Sequence, residues 1–261
     1  MGSSSHKRHL DPAVLKDYLD FKAKQYENPE FLETDPIQIP HRLSGKEDIE
    51  IAALLVSTIA WGNRRSIIKS GEKLLEIMDH APYEFIRSYD QLNNNELNFV
   101  HRTFNSVDLD FFFRALNRIY GKGGLEQAFK LNPQIPGIRG RIINFRNEML
   151  SISHEERSSK HLSDPLKNSA AKRINMFLRW MVRSPNKGVD FGIWNSISPS
   201  ELYLPLDVHT SSNARKLGLL SRKQDDWKAL EEIMEALRRF DPEDPVKYDF
   251  ALFGIGAFEK F

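Results

Sequence analysis

An amine and a carboxylate, the side chains of Lys172 and Asp207, stand out in the last third of the 261-residue chain. Groups of these types serve enzymes as nucleophiles and as acid–base or electrostatic catalysts. Asp207 follows a proline-bearing stretch, 204–206, and a helix is predicted to begin directly after it. An aspartate there caps the helix by accepting hydrogen bonds from the free N–H groups of the first turn. Capping is therefore a sufficient structural reason for Asp207.

Lys172 also has a structural explanation. Positions 172, 176, 179 and 183 share one face of a predicted helix, and three of the four are lysine or arginine. A solvated lysine is the default on such a face. The residue pattern alone leaves both interpretations of Lys172 open.

Charge is unevenly distributed along the chain. The net charge is +1, far below that of many nucleic-acid-binding proteins. Residues 138–187, however, hold 11 Lys and Arg against 4 Asp and Glu and lie between two mildly acidic segments. This basic segment could face an anionic partner such as a phosphate backbone, or it could form a solvated helix surface. Charge alone favours the solvated surface.

The elements that must position these residues are predicted to be helices, because apolar residues recur with helical periodicity along nearly the whole chain. A first helix begins at Asp11-Pro12, an extended connector with three prolines follows from Asn28 to Ser44, and Asp48 can cap the next helix. Further helices are predicted at 67–78, 82–87, 94–102, 109–120, 138–150, 169–183, 207–217, 225–240 and 245–258. The predicted fold class is all-α, as one compact unit over residues 1–261 with residues 1–10 disordered.

Composition excludes several kinds of site and location. The absence of cysteine rules out disulfides, thiolate zinc sites and cysteine-ligated iron–sulfur clusters. No His, Asp and Glu residues have metal-ligand spacing, so we expect no metal and no other cofactor. No apolar run is long enough to span a membrane, and the polar start 1–10 is unlike a signal peptide. We therefore expect a cytoplasmic protein. We also expect it to be a monomer.

The C-terminal third resembles the helix-hairpin-helix DNA glycosylases. That family places a lysine at one helix start and, a few tens of residues later, an aspartate in a Pro-Val-Asp-Thr-His-like context, followed by an Arg-bearing helix and Leu-Gly. This chain has Lys172, then Pro-Leu-Asp-Val-His-Thr at 205–210 and Arg-Lys-Leu-Gly-Leu at 215–219. Residues 51–65 and the apolar last helix at 248–254 are also similar. Several features most resemble the archaeal 8-oxoguanine glycosylases, and the overall pattern looks like a bacterial family distantly related to them.

The resemblance implies a helix-hairpin-helix glycosylase-like fold and excision of a damaged base from DNA, with oxidised guanine as the leading substrate. In the family's bifunctional enzymes the lysine amine attacks the anomeric carbon of the sugar and displaces the base. The resulting Schiff base permits strand cleavage by β-elimination. Lys172 would be this nucleophile, and Asp207 would stabilise the positive charge that develops on the ribose.

Damaged duplex DNA is the partner that the resemblance implies, and base extrusion needs a pocket and a wedge. Trp61 and Asn63 would fill the gap left in the duplex, although a tryptophan at the end of an apolar helix is more often part of the core. Arginines would contact phosphates, and His209 would orient Asp207 or cap its helix. The residues assigned to DNA contact are Trp61, Asn63, Arg64, Arg65, Arg139, Arg141, Asn168, Arg173 and His209.

The predicted hairpin departs from the family's pattern, Leu-Pro-Gly-x-Gly-x-Lys, whose two glycines let backbone amides approach DNA phosphates. Residues 164–172 contain no glycine, but Asn168 tolerates a left-handed conformation better than most residues, so a tight turn remains possible. The missing glycines favour one alternative function, a non-catalytic DNA-binding protein on the same fold. The near-neutral charge permits another, an all-helical interaction protein with no DNA role.

Overall fold

The computed structural model describes residues 11–89 and 97–259, and most of these residues are helical. The predicted disordered segment 1–10 lies outside this range. Two-residue strands β1 (Val100–His101) and β2 (Phe104–Asn105) pair antiparallel. The α-helices are α1 (Pro12–Tyr26), α2 (Lys46–Thr58), α3 (Arg64–Ile77), α4 (Pro82–Ser88), α5 (Ser106–Tyr120), α6 (Leu125–Ala128), α7 (Gly137–Met149), α8 (Lys172–Val182), α9 (Val208–Lys216), α10 (Trp227–Phe240) and α11 (Tyr248–Phe258). The predicted all-α class is confirmed at this level.

None of the described helices is long and apolar enough to cross a membrane.

Several helices begin at local caps that the sequence predicts. The Asp11 carboxylate accepts a hydrogen bond from the Ala13 N–H at 2.8 Å, with Pro12 in the first position of α1. Asp207 caps α9 by accepting from the Thr210 N–H, also at 2.8 Å. Such interactions span only a few residues, so they can be predicted without the tertiary fold.

The predicted extended connector from Asn28 to Ser44 is wrong. This segment forms three 3₁₀ turns, Pro29–Glu33, Pro36–Gln38 and Pro40–Arg42, each beginning at a proline. Proline suits the first position of a helical turn because its missing N–H would have no partner there. The connector is therefore a chain of short helical turns.

Two other predictions near the N-terminal half need correction. Asp48 does not cap α2, whose first residue is Lys46 after Gly45. The Asp48 carboxylate instead accepts from the Tyr83 N–H at 2.8 Å and supports the start of α4. The predicted helix 94–102 is also wrong over its described part, because Val100–His101 is a strand that pairs with β2. Residues 94–96 lie outside the described range.

Helix α2 lies in the core and is buried on every side from Ile49 to Thr58. It packs against α3, α4 and α8, while α11 packs between α1 and α9. These two groups of helices bring the first turn of α8, the first turn of α9 and the start of α11 to one side of the molecule. That side contains the candidate site described below.

The basic segment 138–187 was interpreted either as a surface for an anionic partner or as a solvated helix surface, and the structure differs from both. Three of its arginines are buried, namely Arg141, Arg179 and Arg183, each 5% exposed or less. Arg183 pairs with Asp190 at 2.6 Å and with Asp244 at 2.7 Å, carboxylates that lie outside the segment. A buried cation must be paired, so much of the apparent excess of positive charge is compensated within the protein and does not face a partner.

Candidate functional site

The hairpin before α8 sets the position of Lys172. Asn168 has φ +64° and Ala171 has φ +48°, both in the left-handed region, and α8 begins directly after Ala171. The predicted start of this helix at Ser169 is therefore three residues too early. Asn168 adopts the left-handed conformation that asparagine tolerates better than most residues, so the tight turn that the sequence left possible is present. The hairpin turns without glycine, and it leaves Lys172 in the first turn of α8.

Asp207 has a different contact at each carboxylate oxygen. Its Oδ1 accepts the capping hydrogen bond from Thr210, and its Oδ2 lies 3.7 Å from the Lys172 Nζ. The Asp207 side chain is 16% exposed and the Lys172 side chain is 38% exposed. Helix capping and proximity to the amine are thus compatible in one residue. The amine and carboxylate that the sequence singles out are brought together by the fold.

Both side chains line a cleft of about 850 Å³, within the size range of small-molecule sites. Phe31, Trp61, Met176 and Phe253 give the cleft an apolar and partly aromatic lining. The predicted DNA-contact residues that also line it are Trp61, Asn63, Arg64, Arg65 and His209. A lining that combines polar and charged side chains with aromatic rings is suited to a ligand with a charged backbone and a flat, stackable group.

Buried charged residues from three segments also line the cleft. Asp249 of α11 is 4% exposed, and its carboxylate accepts a hydrogen bond from the Arg179 guanidinium. Burial raises the pKa of the Asp249 carboxyl to about 6; Arg179 opposes this shift and the negative charge of Asp207 adds to it. Asp35, also buried, lines the same cleft. The cleft thus contains a carboxyl group that binds a proton more readily than a solvated aspartate does.

Sequence reasoning missed Asp249, Asp35 and Arg179 as cleft residues. Asp249 did carry a signal, since it is a charged residue in the otherwise apolar stretch 248–254. A buried carboxylate in an apolar helix needs a paired cation or a raised pKa, and either draws attention to a site. The cation paired with Asp249 is Arg179, which lies on the same face of α8 as Lys172 and Met176.

The predicted wedge residues differ in how freely they can move. The Trp61 ring contacts three neighbours, with His161 stacked at 5.9 Å, His101 edge-on at 5.3 Å and the Arg173 guanidinium 4.9 Å from its centroid. Asn63 is exposed, and its side chain caps α3 by accepting from the Arg65 N–H at 3.0 Å. Trp61 therefore forms a fixed wall, whereas Asn63 is at the protein surface.

The remaining predicted DNA contacts lie outside the main cleft, and their side chains already donate hydrogen bonds to other groups of the protein. Arg141 is buried and donates to the carbonyl oxygens of Phe129 and Ser196, so it is removed from the candidate DNA contacts. Arg139 donates to the Pro165 carbonyl at 2.9 Å and so stabilises the hairpin. The Asn168 amide donates to Asp226 Oδ2 at 2.8 Å and ties the hairpin to α10.

Arg173 is another predicted contact with an internal role. Its guanidinium donates to the carbonyl oxygens of Thr58 and His161, and burial lowers its pKa to about 10. It lines a smaller cleft beside Lys172, together with the hairpin residues 169–171. Arg173 therefore holds Trp61 and the end of α2 in place beside the amine.

His161, stacked on Trp61, makes a testable link between pH and stability. It is 4% exposed, and its pKa is lowered to about 4, mainly by burial. Asp108, 3.3 Å away, opposes this shift, while Arg173, Lys160 and Arg157 add to it. The unfolded chain then binds a proton between about pH 6.5 and pH 4 that the folded protein rejects, so stability falls as pH falls through that window.

We expect wild type to lose up to roughly 3 kcal/mol relative to His161→Phe on acidification from pH 7 to pH 4. Phenylalanine keeps the packing on Trp61 and Phe104 but cannot be protonated. Urea unfolding of both proteins across this pH range measures the difference in unfolding free energy. Parallel pH dependences in the two proteins would contradict the assignment to His161.

The fold and the cleft define a class: a mostly helical protein in which an amine and a carboxylate from two helix starts share an aromatic-lined cleft. A family model described as protein of unknown function, DUF2400, matches residues 35–258, and the chain belongs to this family. The match covers Lys172, Asp207 and Asp249. Searches of curated proteins and of solved structures gave no match. The resemblance to glycosylases is therefore a prediction from the sequence motifs.

Proposed function

We propose that the protein is a DNA glycosylase that removes a damaged base and also cleaves the strand as a lyase. The observation that carries this proposal is the 3.7 Å separation of Lys172 Nζ and Asp207 Oδ2 in a cleft of about 850 Å³. Motifs predicted these two residues, which lie in different helices. Their meeting in an open cleft is what a shared catalytic task requires.

The chemistry follows from the two groups. The neutral amine of Lys172 attacks the anomeric carbon of the extruded nucleotide, a C–N bond to lysine forms, and the bond to the base breaks with its electron pair leaving on the base. Asp207 stabilises the positive charge on the sugar and accepts or returns protons. Opening of the sugar ring gives the Schiff base, from which β-elimination breaks the strand on its 3′ side.

The cleft lining supports a flat occupant. The Phe253 ring is bordered by the Arg64 guanidinium at 4.7 Å and by the His209 ring at 6.2 Å, and it contacts Phe31 edge-on at 6.2 Å. An extruded base would stack on such aromatic surfaces while its sugar lies near Lys172. Oxidised guanine stays the leading substrate because of the resemblance to the helix-hairpin-helix DNA glycosylases.

A panel of duplexes, each with one damaged base, tests the proposal by base release and strand cleavage under single-turnover conditions. We expect turnover of at least one lesion, with oxidised guanine tested first and an undamaged duplex as control. Salt-dependent binding without release of any base would favour the non-catalytic DNA-binding protein that the glycine-free hairpin suggests. Absence of salt-dependent binding would favour an interaction protein with no DNA role.

A further inference from the structure

Another cleft, of about 590 Å³, opens beside the candidate site at the α2–α3 turn. We call it the lateral cleft. Trp61 and Asn63 line both the lateral cleft and the candidate site, so the two lie side by side. One wall of the lateral cleft is the exposed face of α3, and the other is the β1–β2 hairpin.

The lateral cleft carries positive charge that is not neutralised within the part of the chain that the structure describes. Lys69, Lys73 and Arg102 line it and are exposed, and none of them forms an ion pair within residues 11–89 and 97–259. Two glutamates also line it, but Glu72 already pairs with Arg42 at 2.8 Å. Over the described residues this leaves three cations against one uncompensated carboxylate, Glu76, in the last turn of α3. An anionic ligand fits this imbalance.

The cations are arranged along a line that leads away from the candidate site. Arg65, Lys69 and Lys73 follow one another at four-residue steps on α3, so they share a face and are about 6 Å apart along the helix axis. The row spans about 12 Å, the rise of three to four nucleotides of a DNA strand. Its first member, Arg65, also lines the candidate site.

Arg102 occupies an unusual backbone position. It lies in the two-residue turn of the hairpin with φ +56°, where glycine, asparagine or aspartate is the usual residue. The hairpin is anchored, because the buried His101 makes a 2.8 Å hydrogen bond to Ser70 Oγ and packs edge-on against Trp61. A strained arginine on a fixed turn is the kind of outlier that points to a binding role.

We propose that the lateral cleft binds the phosphodiester backbone of DNA beside the extruded nucleotide, through Lys69, Lys73 and Arg102. This inference rests on the proposed function, since the DNA strand would continue from the candidate site past Trp61. In helix-hairpin-helix glycosylases a glycine-containing hairpin binds the DNA backbone. Here the lateral cleft would bind it instead, because the glycine-free hairpin is tied to α10 by Asn168. Contacts of this kind position the duplex and do not read its sequence.

The test compares two triple variants that remove the same charge. The cleft variant is Lys69→Gln, Lys73→Gln and Arg102→Gln, and the control variant is Lys24→Gln, Arg118→Gln and Lys228→Gln. The three control side chains are exposed, line neither cleft and have no ion pair within the described residues. Fluorescence anisotropy measures binding to a duplex containing a tetrahydrofuran abasic analogue at several salt concentrations. Circular dichroism melting checks that both variants fold.

We expect the cleft variant to bind at least tenfold more weakly at low salt, and the slope of log affinity against log salt to fall by about 2 to 3, one phosphate contact per cation. The control variant should keep the wild-type slope to within about 1. Equal losses in both variants, or a wild-type slope in the cleft variant, would overturn the cleft assignment while leaving the proposed function standing. In that case the cleft faces another anionic partner, such as an acidic protein surface. Wild type without any salt-dependent DNA binding would overturn both.

Discussion

Borohydride should trap a covalent adduct between the wild-type protein and its substrate duplex, and Lys172→Gln should abolish that adduct completely. Reduction fixes the Schiff base between Lys172 and the sugar, an intermediate that a glycosylase activating only water never forms. Glutamine is a good helix former of similar length, and the lysine side chain is 38% exposed, so the fold and DNA affinity should stay nearly unchanged. Gel electrophoresis of the reduced reaction measures the adduct.

The matched control for this experiment is Lys167→Gln. Lys167 is an exposed lysine in the same hairpin, five residues before Lys172, and it lines neither cleft nor pairs with a carboxylate in the described part of the chain. Lys160, also exposed, provides a second control. Both variants should give wild-type trapping. Trapping that survives Lys172→Gln would place the reactive amine elsewhere, and tight binding without trapping of any lesion would favour a mechanism led by Asp207 alone.

Asp207→Asn should lower the rate of base release by on the order of a hundredfold or more, because a neutral amide cannot stabilise the positive charge that develops on the sugar. The substitution should have little effect on the stability of the fold. Asparagine caps helices as well as aspartate does, and its side-chain oxygen can still accept from the Thr210 N–H, so the unfolding free energy should change by less than about 1 kcal/mol. Single-turnover base release and urea unfolding measure the two effects separately.

Asp11→Asn is the matched control for this second experiment. Asp11 caps α1 through the same kind of hydrogen bond, to the Ala13 N–H at 2.8 Å, and does not line the cleft. Its substitution should change neither stability nor base release appreciably. If Asp207→Asn released the base at the wild-type rate, Asp207 would be a helix cap and nothing more.

The two experiments address a pair of residues that the sequence could propose but not bring together. Lys172 and Asp207 are 35 positions apart, and each has an ordinary structural explanation. Only the packing of α8 beside the start of α9 brings the amine to 3.7 Å from the carboxylate. Asp249 stands out in the sequence as a charged residue in an apolar stretch, but its proximity to Asp207 and Arg179 depends on how α11 lies against α8 and α9.

Arginine residues mark the limit of sequence reasoning most clearly. Arg139, Arg141 and Arg173 were predicted as DNA contacts because the glycosylase resemblance implies a DNA partner and all three lie in the basic segment. In the structure Arg141 is 5% exposed and Arg173 donates to two carbonyl oxygens inside the protein. Whether a guanidinium is solvated or buried depends on acceptors such as the Phe129 carbonyl, which no nearby sequence pattern specifies.

The sequence by itself determined the helical class and the caps at Asp11 and Asp207, and it left a left-handed turn at Asn168 possible. These features depend on interactions within three or four residues, where side-chain chemistry and backbone geometry are already fixed by the local sequence. Only the tertiary structure decided the 3₁₀ turns of residues 29–42, the β1–β2 hairpin and the burial of arginines in the basic segment. It also decided which side chains line the clefts. Those outcomes depend on contacts between residues tens of positions apart, where burial and pairing outweigh local preference.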